Sequence, residues 1–174
     1  VSDLGDTEPL EISEPVRIDG KVRNSIIQVL QAIHAKAPNA KIMLVGYPRV
    51  IGATCDVPWG ITDQDEVNWI KGTVNRMDDM MANLGADPRL QGVPVTFVDP
   101  RPYFGLNGEH GACTGDGNEA IHEVVTDLTP GDSALLPGPW NLPGQSARSF
   151  HPTLWGTDLY AAALNSVISV PGFL

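Results

Sequence analysis

The sequence predicts an α/β fold built on a parallel sheet, and three observations predict it. Two short, continuous apolar runs, Ile42-Met43-Leu44-Val45-Gly46-Tyr47 and Val95-Thr96-Phe97-Val98-Asp99, have the unbroken hydrophobicity of strands buried on both faces. Two longer segments repeat their apolar residues at helical spacing instead. These segments alternate as helix, strand, helix, strand, the order that makes crossover units and parallel neighbours.

The chain opens on Asp3, Asp6, Glu8, Glu11 and Glu14, interleaved with Pro9 and Pro15, so residues 1–18 read as an exposed, acidic, loop-like lead-in. Val22, Ile26, Ile27, Leu30 and Ile33 then form the stripe of the first helix, with Asp19 as its cap and Pro38 as its stop. The first strand follows between Asn39 and Pro48. A Gly/Pro-rich loop through Trp59 and Gly60 leads to the second helix, where Thr62 and Asp65 fit a capping box. Its stripe is Val67, Ile70, Val74, Met77, Met81 and Leu84, the methionines reading as core filling. The segment 85–94 breaks the chain before the second strand. From Pro100 to Pro152 the chain is irregular and rich in Gly and Pro, with one short helix expected near Asn118 to Asp127. So long an irregular stretch points to function. A last helix begins after Thr153, with Tyr160, Leu164, Val167 and Ile168 available to a core.

A chain of 174 residues that is 42% hydrophobic has the size of one compact domain, or most of one. Eleven basic residues against 21 acidic ones give a formal charge of -10, which repels nucleic acid and anionic membrane surfaces. No apolar run is long enough for a membrane span, and the first residues lack the layout of a signal peptide. The expectation is a soluble chain whose export signal, if it had one, lies upstream or was removed. Cys55 and Cys113 form no C-x-x-C pair, so zinc and redox motifs are not indicated; the two read either as one disulfide or as two buried thiols. No metal-ligand spacing and no cofactor motif are present, so neither is expected.

Imidazole is the side chain whose ordinary pKa lies near neutrality, which makes the four histidines the acid–base candidates. His34, near the end of the first helix, and His122, in the short helical patch, read as surface or cap residues. His110, close to Cys113 in a Gly-rich loop, reads as a structural hydrogen-bonding residue. His151 differs: it stands in Ser149-Phe150-His151-Pro152-Thr153, where Pro152 fixes the turn and restricts the residue before it to extended geometry. A side chain held at a loop-to-helix junction suits a general base, with capping or packing as the other reading.

The blocks Ala37-Pro38-Asn39-Ala40, Leu44-Val45-Gly46-Tyr47-Pro48-Arg49, Phe97-Val98-Asp99, the segment 108–113, and Ser149-Phe150-His151-Pro152-Thr153 with Gly156 and Tyr160-Ala161 together resemble actinobacterial secreted SGNH (GDSL-type) hydrolases, a group of esterases, lipases and phospholipases. The resemblance runs from about Asn24 to Leu164. It implies a three-layer α/β/α fold with a parallel sheet, and a Ser-His pair in which His151 takes the serine proton before the serine attacks an ester carbonyl.

Family members carry that serine in a Gly-Asp-Ser block near the start and oxyanion-hole donors in later Gly and Gly-x-Asn-Asp blocks. Neither precedes the matching blocks here. Gly131-Asp132-Ser133 does occur, but Pro130 and Pro137 frame it in the irregular region, where a turn-prone triplet arises by chance. The expectation is therefore that residues 1–174 are the C-terminal part of a single SGNH-like domain, and that the serine sits on a companion N-terminal polypeptide. Many relatives also have an aspartate three residues before the histidine; this chain has Arg148, which cannot accept the imidazole N–H. Some relatives use a main-chain carbonyl there, which implies that the carbonyl of Arg148 or Ser149 orients His151. The resemblance further implies a Cys55–Cys113 disulfide and, with it, a secreted protein. Trp59, Trp140 and Trp155 are candidates for an apolar acyl site or for packing. The rival reading is a noncatalytic lipid- or carbohydrate-binding module on the same scaffold.

Overall fold

The computed structural model describes residues 10–53, 55, 64–105, 107–115, 117–123, 125 and 148–170. Expectations for residues 1–9, Trp59, Thr62, Trp140 and the Gly131-Asp132-Ser133 triplet lie outside the described residues. The chain groups into two compact units: Val1–Tyr47 with Trp69–Pro100 and Ala163–Leu174, and Pro48–Asn68 with Arg101–Ala162.

The first unit carries the sheet. It opens with helix α1 (Leu10–Arg17), which passes through a π-helical turn, Ile18–Val22, into α2 (Arg23–Lys36). The lead-in is thus helical from Leu10 onward, where a loop is expected from its acidic residues. Glu14 pairs with Arg17 at 2.8 Å one turn on, and Ile18 buries its side chain to 2% exposure, which draws the segment onto the core. Asp19 is inside the π-helical turn and forms an ion pair with Arg76, so it does not cap α2. The helix ends at Ala37, immediately before Pro38, as the residue preceding a proline disfavours helical geometry.

Strands β1 (Ile42–Val45) and β2 (Val95–Val98) pair in parallel, Ile42 opposite Val95 through Val45 opposite Val98. Ile42, Leu44, Val95 and Phe97 pack on a core of Ile18, Ile27, Leu30, Met80, Met81, Leu84 and Leu90. Of the strand residues only Val98 is fully buried. The others are half-buried because, among the described residues, the sheet has two strands and each keeps an unpaired edge. Helix α3 (Gln64–Ala82) shows the expected stripe, Val67 and Met81 being buried along with Leu84 just beyond its end. It also brings in Asp78, a fully buried carboxylate whose Oδ1 accepts the Tyr47 N–H at 2.9 Å. Gly46 is needed beside it: a Cβ there would lie 2.8 Å from both Asp78 Oδ1 and the Phe97 ring.

The same unit has a second buried carboxylate, Asp87, which accepts from Arg89 (Nη2, 2.8 Å; main-chain N, 3.0 Å) and from Arg23 (Nη2, 3.0 Å). The Arg89 side chain, then its main-chain N–H, holds the Asp87 carboxyl well below the ordinary carboxylate range, against the opposing effect of burial.

The second unit is mostly loop. Around 118–127 the described residues 118–123 are extended and irregular where a short helix is expected. The reason is that their main-chain groups are taken by neighbouring segments rather than by each other, as the next section describes. Its core is Phe104, Ala112, Ala120 and Ile121, joined by Phe150, Leu159 and Tyr160. Phe104 and Tyr160 meet edge to face at 5.2 Å. Cys55 and Cys113 form a disulfide across a sequence separation of 58 residues. Next to it, Gly52 N–H donates to Ala112 O (2.8 Å) and Ala112 N–H donates to Val50 O (2.9 Å). Gly108, at φ 83°, lies so close to this pairing that a Cβ would come within 2.5 Å of Ile51 O. The chain closes on α4 (Leu154–Ile168).

Candidate active site

Residues 148–153 form a turn fastened at both ends. His151 N–H donates to Arg148 O at 3.0 Å, closing the turn. Beyond it, Phe150 N–H donates to His122 O (3.1 Å), His122 N–H to His151 O (2.8 Å) and Thr153 N–H to Ala120 O (2.8 Å), so the segment 120–122 holds the turn by main-chain bonds. Pro152 has no N–H to offer and sits opposite Ile121 in an antiparallel bridge. The Ser149 hydroxyl adds a side-chain clamp, accepting the Val125 N–H at 2.9 Å.

Phe150 occupies the left-handed region, φ 58°, which is uncommon for a bulky residue and costs on the order of 1 kcal/mol. Its side chain packs in the Phe104 cluster, which offsets that cost. The kink at Phe150 leaves His151 exposed while the residue before it is anchored inside.

The His151 ring is oriented by backbone. Its Nδ1 lies 3.1 Å from Ser149 O. A carbonyl only accepts, so this contact requires Nδ1 to carry the proton and leaves Nε2 with its lone pair, the form able to take a proton. Of the two carbonyls named from the sequence, Ser149's meets the ring and Arg148's is occupied by the His151 main-chain N–H.

Behind the turn, Thr153 caps α4: its Oγ1 accepts the Gly156 N–H at 3.1 Å and donates to Ala120 O at 3.2 Å. Gly156 is required because a Cβ there would collide with Ala120 O. His110, as its Gly-rich loop suggests, hydrogen-bonds structurally, Nδ1 lying 3.3 Å from Asn118 O, and its ring meets Trp155 edge-on at 4.7 Å. His122 contributes its main chain to the turn, and with Glu119, Glu123 and Thr153 lines an open cavity of about 450 Å³. Glu119 is engaged there by Thr114 Oγ1 (2.9 Å) and Gly115 N–H (2.7 Å). No cluster of three or more metal-binding side chains occurs among the described residues. Nor is any helix among them long and apolar enough to cross a membrane.

The main-chain contributions of Ala120 and His122, the clamp from Ser149 to Val125 and the left-handed Phe150 were not foreseen from sequence. Backbone partners carry no side-chain signature, so only the Pro152 restriction hinted at a fixed turn.

No protein-family model and no curated protein matches the chain. Among solved structures it is similar to an extracellular lipase from Streptomyces rimosus, with a TM-score of 0.60 and 25% identity, and to phospholipase A1 from Streptomyces albidoflavus NA297, with a TM-score of 0.62 and 22% identity. Each match covers 87% of this chain and 53% of the other, so the chain spans about half the length of these enzymes. The alternating helices and parallel strands therefore form an α/β, SGNH-like fold of the kind these lipolytic enzymes have.

Proposed function

We propose that the chain supplies the histidine of a carboxyl-ester hydrolase that works through a Ser-His dyad. The observation that carries this reading is the contact between His151 Nδ1 and Ser149 O, 3.1 Å, on an exposed ring. With Nδ1 committed to the carbonyl, Nε2 accepts the serine proton as the hydroxyl attacks the ester carbonyl, and returns it to the departing alcohol. Water then repeats the cycle on the acyl-serine. The Ser149 carbonyl does the orienting work of a carboxylate and stabilises the imidazolium through its dipole.

The similarity to lipolytic enzymes about twice this length supports a serine and oxyanion hole on another polypeptide segment, which this chain would join to form the active enzyme. The extracellular lipase among those enzymes and the Cys55–Cys113 disulfide support a secreted setting.

The test is hydrolysis of a short-chain acyl ester by the protein with its serine-bearing segment present. His151→Ala should lower kcat by about four orders of magnitude or more with the fold intact. A variant that hydrolyses at the normal rate removes His151 from the reaction. Binding of lipid or carbohydrate with no hydrolysis by the native protein would instead favour a noncatalytic module.

A further inference from the structure

We propose that Leu154 and Trp155, the first two residues of α4, form an apolar shelf that receives the hydrocarbon part of the ester processed at His151. The inference rests on His151 being the base, and adds the chemistry of the group bound beside it.

Leu154 is 84% exposed and Trp155 39% exposed. A first helical turn ordinarily carries acidic or other polar side chains that suit its free N–H groups; α4 has no acidic residue there and presents two large apolar ones. Neither belongs to the Phe104 cluster, which α4 joins through Leu159 and Tyr160. Their position is nevertheless fixed. Thr153 caps the turn that carries them, and the Trp155 ring stands edge-on to His110 at 4.7 Å and 67°. His110 is itself held, its Nδ1–H donating to Asn118 O at 3.3 Å and its main-chain N–H to Phe104 O at 3.1 Å. A ring held in this way loses little freedom when a ligand covers it.

Two arguments identify the occupant. The shelf follows His151 by three and four residues, so its Cα atoms lie within about 15 Å of the base, the reach of a medium-length hydrocarbon chain. Two side chains together cover a few hundred square ångströms at most, well short of the roughly 800 Å² per partner of a stable protein interface. A single alkyl or acyl chain fits that area, and a charge-neutral one suits a chain of net charge -10.

The experiment is tryptophan emission quenching in the purified protein by bromoundecanol, a neutral brominated alkyl chain that needs no hydrolysis to be seen. Saturable quenching is expected, lost for the most part in Trp155→Phe and shifted to about tenfold weaker binding in Leu154→Ser. Bromoethanol, which lacks the chain, should quench without saturating. Near-UV circular dichroism checks that both surface variants keep their fold. No saturable binding by the native protein, or binding unchanged in both variants, overturns the shelf. The dyad is judged separately: an inactive His151→Ala with an unaltered Leu154→Ser rejects the shelf alone, whereas a fully active His151→Ala with normal bromoundecanol binding rejects the base alone.

Discussion

The two units of the molecule are stabilised by different means. In the sheet-bearing unit, side chains dominate: helical stripes and a parallel strand pair bury Ile27, Leu30, Met81, Leu84 and Leu90 in one apolar core. In the loop-rich unit, geometry is set by main-chain bonds between distant segments, by a disulfide, and by glycines at places a Cβ would not fit. An apolar core tolerates small shifts and repacking. A carbonyl that must meet one imidazole nitrogen does not, and the unit carrying His151 is the one built from directional contacts.

Removing the disulfide probes this contrast with the largest expected effect. Closing a loop across 58 residues contributes about 4 kcal/mol in the chain-entropy account. Replacing Cys55 and Cys113 by alanine together should cost about that much and speed amide exchange at Gly52 and Ala112, while Gly46, bonded to Val98 O, keeps its protection. Equal loss at Gly46 would mean that the two units unfold as one, and the contrast would fail.

Leu84→Ala makes the complementary cut. Leu84 is fully buried in the sheet unit, and the lost contacts and cavity should cost about 3 kcal/mol, read from denaturant unfolding. Exchange at Gly46 should rise and that at Ala112 stay.

The smallest effect is on the acid side. Asp87 has its pKa lowered in the folded state, so its contribution is complete above the ordinary carboxylate value, near 3.8, and is lost as pH falls below that. Asp87→Asn should therefore flatten the decline in stability between about pH 4 and about pH 2. An unchanged slope would assign the acid sensitivity to other carboxylates.

The same contrast explains what the sequence made legible. Both strands, the stripe of α3 and the start of α4 are visible because burial imposes a periodicity on side chains. Composition misleads at Leu10–Arg17, where acidic residues and prolines suggest a loop but Ile18 anchors a helix, and at Asp19, whose partner Arg76 is remote in sequence. It misleads again at 118–127, where helix-compatible residues are held extended by bonds from His151 and Thr153. His151 itself was found through Pro152 and its neighbouring residues, and the choice of Ser149 over Arg148 as its carbonyl partner required coordinates.

The most direct test of the backbone-oriented base is the tautomer of His151 itself. Long-range proton–nitrogen correlation at a pH where the ring is neutral should show Nδ1 protonated and Nε2 bare, and the assignment should survive Arg148→Ala, which leaves the main chain in place. A neutral ring protonated at Nε2 would contradict the account, because Nδ1 could not then donate to Ser149 O and no lone pair would face outward to receive a proton.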